Sequence, residues 1–324
     1  MKKLIVPALL VVAAFVKLVP DVAAQEWQPT KPIRMVIPST PGGGTDFIGR
    51  ILSSKLSELP GWRVVPENRP GAAGTLGLSE AARARPDGYE LVIGQTANVA
   101  LAPWLMSLSF DPIKDLTPIA SAVEAPMVLL VNESSPHKTW ANFVNAAKAS
   151  GKPISFGTSG TGSVAHVAGV MLQDAAGIKF QHVPYKGSSP AIADLMGGHV
   201  ELAGTSVASA LSLVQSGKVR ALAVTSQKRS QALPAVPTLA ELGYANFHMV
   251  EWYGVFAPPN LPPAIAERLN AEINKVLQKA EVRNALIAQG QDPRVESRSA
   301  FAAMVKGDNL KSKEIVAHAG IKLD

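Results

Sequence analysis

The stretch Val36-Ile37-Pro38-Ser39-Thr40-Pro41-Gly42-Gly43-Gly44-Thr45-Asp46 decides the fold. An apolar run ends in a turn of proline and glycine, and an amphipathic pattern opens near Thr45, with Phe47, Ile48, Ile51, Leu52 and Leu56 at helical spacing. Strand, glycine turn and helix in that order form a βα unit, the building block of helix-covered sheets. At a helix start several backbone N–H groups lack partners and carry a partial positive charge. Three glycines place no Cβ between that backbone and a ligand, so the turn is suited to an anion. An ordinary βα turn also uses glycine and proline, but three consecutive glycines exceed what a turn needs. Asp46 either complements the helix dipole or fixes the loop by accepting from its N–H groups, the preferred reading.

Working outward, the unit recurs. Strands are expected at residues 33–38, 63–66, 90–94, 127–132, 154–157, 180–184, 200–203, 219–225 and 252–257. Helical patterns lie between them, among them Val164, Val167, Ala168, Met171 and Leu172, and later Ile265, Leu269, Ile273, Val276 and Leu277. This alternation predicts an α/β protein with parallel sheets covered on both faces.

Five loops follow strand ends and carry small polar residues. Pro41, Gly42, Gly43, Gly44, Thr45 and Asp46 form the first. The second runs through Phe156-Gly157-Thr158-Ser159-Gly160-Thr161-Gly162-Ser163, where Ser159, Gly160, Thr161, Gly162 and Ser163 offer hydroxyl and amide donors. A serine-capped helix start would use the same residues. His166 follows on the same helical face, as a satisfied buried histidine or as a ligand contact. Tyr185 and Lys186 sit in a third junction, each either a surface group or part of the cleft. Thr96 and Asn98 belong to a fourth loop, Thr205 and Ser206 to a fifth. The C-terminal ends of strands are where open α/β sheets bind ligands.

Two places look like crossovers, one at Ala125-Pro126 and one across residues 246–251. They divide the chain into lobe 1 (25–126 plus 250–324) and lobe 2 (127–249). Two lobes joined by two strands make a hinged clamp, and clefts favour such interfaces.

The chain has 324 residues with 47% hydrophobic content, enough for two domains with real cores. Met1-Lys2-Lys3 and the apolar run 4–16 read as an export signal (residues 1–24), with Val22-Ala23-Ala24 as the cleavage site. The run is too short to span a bilayer. There is no cysteine, as suits an oxidising compartment. The net charge is +6 with no dense basic run, so nucleic acid is not an expected partner. Lysine is missing from the phosphate-binding position of the second loop, Gly42 and Gly44 lack the third glycine of a dinucleotide fingerprint, and neither GxSxG nor HExxH occurs. The six histidines show no metal-ligand spacing.

The chain resembles the solute-binding receptors of tripartite tricarboxylate transporters, the Bug family, over nearly all of its mature length. The residues that carry this are Lys31-Pro32-Ile33-Arg34 with Pro41-Gly42-Gly43 and Asp46, then Glu67-Asn68-Arg69-Pro70-Gly71-Ala72, Pro86-Asp87-Gly88-Tyr89, Val183-Pro184-Tyr185-Lys186-Gly187 and Ala221-Leu222-Ala223-Val224-Thr225-Ser226. The resemblance implies a two-lobed, type II, Venus-flytrap periplasmic receptor. It implies a ligand carboxylate held by backbone and hydroxyl groups of the first two loops, delivery to separate integral membrane permease subunits, a monomer, no enzyme activity and no cofactor. Three departures bear on the ligand. Thr205 stands where many relatives carry aspartate, which argues against an amino acid. Ser39 replaces a frequent aromatic, and Glu251 replaces a small polar residue. Citrate-like tricarboxylates, C4 dicarboxylates, aromatic carboxylates and nicotinate all fit. The alternatives are an exported enzyme using His166 with Ser163 or Lys186, and a subunit presenting its ligand to a membrane kinase.

Overall fold

The computed structural model describes residues 27–321; the expected export signal lies outside the described residues. The elements run β1 (Ile33–Ile37), α1 (Gly44–Leu56), β2 (Val64–Asn68), a short 3₁₀ turn, α2 (Thr75–Ala82), β3 (Glu90–Gln95), a π-helical segment (Thr96–Leu101), α3 (Ala102–Leu105) and β4 (Thr117–Asn132). The chain continues through α4 (Trp140–Ser150), β5 (Ile154–Thr158), α5 (Val164–Ala176), β6 (Phe180–Pro184), α6 (Ser188–Met196), β7 (Leu202–Ser206), α7 (Val207–Gln215) and β8 (Val219–Val224). It ends with β9 (Val250–Ala257), α8 (Pro263–Gln278), α9 (Ala280–Ala288), β10 (Asp292–Pro293) and α10 (Arg298–Ala319).

The fold is α/β and two-lobed. One long strand, β4, is shared by both lobes. Its first part pairs antiparallel with β9, down to Pro126 opposite Val250. From Met127 onward it pairs with β7 and β8 instead, starting at Met127 opposite Ser206. The first lobe therefore carries β2-β1-β3-β9-β4 with β10 on β4, and the second carries β8 and β7 on β4, followed by β5 and β6. Where the partners change, the Thr225 hydroxyl accepts from Met127 N (3.0 Å) and donates to Met249 O (2.5 Å), tying the two crossing strands together.

Four layers of core follow from the strand alternation. On one face of the first sheet, Ile33, Met35 and Ile37 pack with Ile48, Leu52 and Leu56 of α1 and Leu269 and Ile273 of α8. Gly49 permits this approach, because a Cβ there would stand 2.6 Å from the Ile37 side chain. On the opposite face Val36, Leu78, Val92, Trp252 and Phe256 meet Phe301 of α10. In the second lobe, Leu129, Val131, Phe156 and Leu202 pack with α4 and α5, and Val128, Leu130, Ala203 and Val224 pack with α6 and α7. Each fully buried Leu or Ile side chain contributes roughly 1.5–3 kcal/mol.

Three expectations need correction. The sheets are mixed rather than parallel, because β3–β9, β4–β9, β4–β7 and β4–β8 are all antiparallel. The strand expected to begin at 127 begins at Thr117. Its first part was hidden by Pro118 and Pro126, which cannot donate to a ladder, and by register shifts after Pro118 and Ser121. The C-terminal helices do not all stay on the first lobe. Phe301 and Val305 of α10 pack there, but Val316 and Ile321 join the core of the second lobe, and His318 contacts Asp174 of α5 at 3.0 Å.

Candidate functional site

Strand register places the five loops. Gln95, at the end of β3, lies opposite Tyr253, three residues from Val250 at the crossing. β1 runs parallel to β3, so its C-terminal end faces the same way. In the other lobe Ser206, at the end of β7, lies opposite Met127, and β5 and β6 run parallel to β7. The loops after β1 and β3 thus open toward the hinge from one side, and those after β5, β6 and β7 from the other. A cleft between the lobes receives both sets.

In the first loop, Pro41, Gly42, Gly43 and Gly44 are exposed, while Thr45 and Asp46 are buried. Gly42 adopts φ +91°, which glycine tolerates without strain. Asp46 fixes the loop: its carboxylate accepts from Gly42 N (2.9 Å), Arg50 Nε (2.9 Å) and Asn68 Nδ2 (2.8 Å). Burial alone would raise its pKa, but these hydrogen bonds prevail and hold it below the usual carboxylate value. Asn68 also donates to Ser39 O, and Thr45 Oγ1 donates to Gln95 Oε1, fastening the neighbouring strands to the loop. Gly43 is the N-cap of α1 and supplies no side-chain cap. The first-turn amides of α1 therefore have no serine or threonine oxygen to bond. Ser39 Oγ, in the same loop, and Asn98 Nδ2, which faces Gly74, are buried without a hydrogen-bond partner. Such orphaned groups are uncommon in native proteins and each requires an explanation.

The second loop is more self-contained. Ser163 caps α5 by accepting from His166 N (3.2 Å), Gly160 N donates to Thr158 Oγ1, and Gly162 N donates to His166 Nδ1 (3.1 Å). Gly187 N bonds Ser159 O, and Thr161 is exposed. With Nδ1 accepting, the His166 proton sits on Nε2, a free donor. Its ring stacks on His182 at 3.7 Å, and His182 Nε2 meets Thr158 Oγ1 at 2.7 Å. Burial first, and then the neighbouring His182, lower the pKa of His166 to about 4, so the ring is neutral at ordinary pH.

The remaining candidates divide. Tyr185 donates to Asp194 on α6 (2.6 Å), whereas Lys186 is exposed. The Thr96 hydroxyl is committed to β9, accepting from Trp252 N (2.8 Å) and meeting Val250 O at 3.3 Å. Asn98 Oδ1 accepts from Gln95 N (2.9 Å). Thr205 is buried, and Ser206 caps α7 by accepting from Ser209 N (3.3 Å). A hollow of about 250 Å³ joins Gly42, Gly43 and Gly44 to Ala208 and Ser209 of α7, with Gln291 on its wall. Two residues with a place here, Tyr253 and Gln291, were not among the candidates; Glu251 was noted in the sequence only as a departure. Tyr253 and Gln291 stand against Gly44, and Glu251 lies two residues before Tyr253 on β9. Period-two alternation along β9 could have put Glu251 and Tyr253 on one face; nothing in the sequence marks Gln291. Among the described residues no cluster of metal ligands occurs and no helix is long and apolar enough to cross a membrane.

A family model described as "Tripartite tricarboxylate transporter family receptor" matches residues 48–321. The chain is 35% identical to Protein BugT of Bordetella pertussis over 297 residues, covering 91% of each. Among solved structures it is similar to the periplasmic binding protein BugD (32% identity, TM-score 0.72, 91% of this chain and 99% of that one). It is also similar to R. palustris Rpa4515 with adipate (30% identity, TM-score 0.76, 91% and 99%).

Proposed function

The chain belongs to the tripartite tricarboxylate transporter receptor family, and on that premise we propose that it is a periplasmic solute receptor that captures a small carboxylate and hands it to integral membrane permease subunits. The ligand is a di- or tricarboxylate or an aromatic carboxylate. Lobe 1 is taken as residues 25–126 and 250–324 and lobe 2 as residues 127–249, with the end of α10 crossing onto lobe 2, and the receptor works as a monomer. One observation carries the reading. The helix start at Gly43 is uncapped, and it lines a hollow whose other wall is Ala208 and Ser209 of the opposing lobe. A carboxylate would satisfy the open first-turn amides of α1, with Thr161, Ser163 and the His166 Nε2–H contributing from the opposing lobe.

The energetics are adequate. Micromolar capture requires about 8 kcal/mol, and hydrogen bonds to a charged group contribute roughly 1.5–3 kcal/mol each. Four or five donors suffice after the ordering cost of closure, and no arginine is needed. The arrangement does not favour catalysis. Ser163 Oγ accepts from the His166 backbone and His166 Nδ1 accepts from Gly162, so the two side chains form no nucleophile–base pair. Small-angle scattering with and without a saturating carboxylate tests the proposal. Compaction on binding, with the carboxylate recovered unchanged, is expected; unchanged dimensions or turnover would overturn it.

A further inference from the structure

His182 lies on β6 opposite Phe156 of β5. Phe180, two residues earlier on the same face, stacks on Phe156 at 4.8 Å. That face carries α5. Gly169 lets the helix lie close, since a Cβ there would run into the Phe156 ring. His166, three residues earlier on the same side of the helix, therefore meets His182 at the helix start. The two imidazoles lie almost face to face, with centroids 3.7 Å apart and planes 5° from parallel. Aromatic pairs usually sit about 4.5–7 Å apart, offset or edge-on, so a pair this close needs anchors, and both rings have them. His166 Nδ1 accepts from Gly162 N (3.1 Å). His182 Nε2 meets Thr158 Oγ1 (2.7 Å), and the same oxygen receives the Gly160 amide (3.3 Å). Thr158 is fully buried.

We propose that His182 is a positioning residue of the binding site: its ring is the platform that holds the His166 imidazole in the Nε2–H form and aims that donor at the ligand carboxylate. The inference rests on the receptor reading, in which His166 contributes from the second lobe. A carboxylate beside an imidazole ordinarily draws a proton onto it. Two features oppose this here. Gly162 N needs the Nδ1 lone pair, and a charged ring would lie flat against His182. Among the described residues His182 is the one titratable group acting on His166, and no carboxylate or amine of α5, β5 or β6 does so. Burial first, and then His182, lower the His166 pKa to about 4. The ligand is thus held by a neutral donor. Capture takes up no proton near neutral pH, and no ion pair has to be broken at release.

Nitrogen NMR of the histidine rings in the mature protein tests this, beside titration calorimetry with succinate, malate, adipate and benzoate at neutral pH. In the ligand-free wild type His166 is expected in one tautomer, bare at Nδ1 and protonated at Nε2. His182→Gln keeps a polar reach to Thr158 and loses the platform; His182→Phe keeps an aromatic face and loses the Thr158 bond. The Gln variant is expected to mix the His166 tautomers, to raise the His166 titration midpoint by at least about one pH unit, and to weaken the tightest acid about tenfold. The Phe variant is expected to keep the single tautomer and to bind within about threefold of wild type. Wild-type binding heats should be the same in phosphate and in Tris. A single unchanged tautomer in His182→Gln, equal losses in both variants, or a buffer-dependent heat in the wild type would overturn the inference and leave the receptor reading standing. Binding of none of the acids by the wild type would overturn that reading instead, while the tautomers of the two variants would still decide whether His182 is the platform for His166.

Discussion

Gly290, in the turn after α9, stands against Ala208 at the first turn of α7: a Cβ on Gly290 would lie 2.8 Å from the Ala208 amide nitrogen and 3.0 Å from its Cα. Gly290 also holds φ +68°, a conformation that disfavours other residues. The contact joins the two lobes beside the hollow that contains Gly43 and Gln291. Gly290→Ala should therefore hold the lobes apart and shift the population toward an open form. Roughly tenfold weaker ligand binding is expected, with a larger scattering radius in the liganded protein. Wild-type affinity would show that the lobes need not meet here.

The hinge gives a second prediction. Thr225 is fully buried, and its hydroxyl holds Met127 N and Met249 O. Thr225→Val keeps the volume and leaves a buried N–H and carbonyl without that partner. A loss of about 1–3 kcal/mol in urea unfolding is expected. A neutral outcome would mean that the crossing strands are held by their own ladder alone.

Asp46 supplies a third. Its folded pKa is depressed, so its stabilisation is present above the unfolded value and is lost as pH falls through the folded one. Asp46→Asn should lower stability at neutral pH by roughly 1.5–3 kcal/mol and flatten the acid limb of a plot of Tm against pH. Ligand affinity should fall as well, because Gly42 N loses its anchor. If affinity survives intact, the loop does not depend on Asp46 for its shape.

His166 supplies a fourth, again with acid sensitivity. The folded ring has a pKa of about 4 against 6.5 unperturbed. Between these values the unfolded chain takes up a proton that the folded chain refuses, so stability falls as pH drops from about 6.5 toward about 4. The size is on the order of 2 kcal/mol, given its partial exposure. His166→Gln should remove this part of the acid limb, read as Tm against pH, while Asp46 still accounts for the lower part.

The fold class was legible because its evidence is local. Residues 36–46 spell strand, turn and helix, and the same syntax recurs at 156–166 and 184–192. The family resemblance, carried by short motifs spread along the chain, agrees with the matched family model. What escaped was non-local. The first part of β4 is stabilised by β9, more than a hundred residues away, and its own sequence of Pro118, Ala120, Ala122 and Pro126 has weak strand character. The small polar residues of the five loops were visible, but their commitments were not. Ser163 and Ser206 cap helices, and Thr96 serves the backbone of β9. Spacing shows that an oxygen is present, not which donor has claimed it. Gln291 reaches Gly44 only because α9 and β10 fold back onto the cleft.

The most direct test of an anion held by backbone amides compares a bound carboxylate with its primary carboxamide, equal in shape but uncharged, by thermal shift at the same concentration. The acid should raise Tm in proportion to its saturation, and the amide should leave it unmoved. Equal shifts from both would contradict the anion-binding role of the helix start at Gly43.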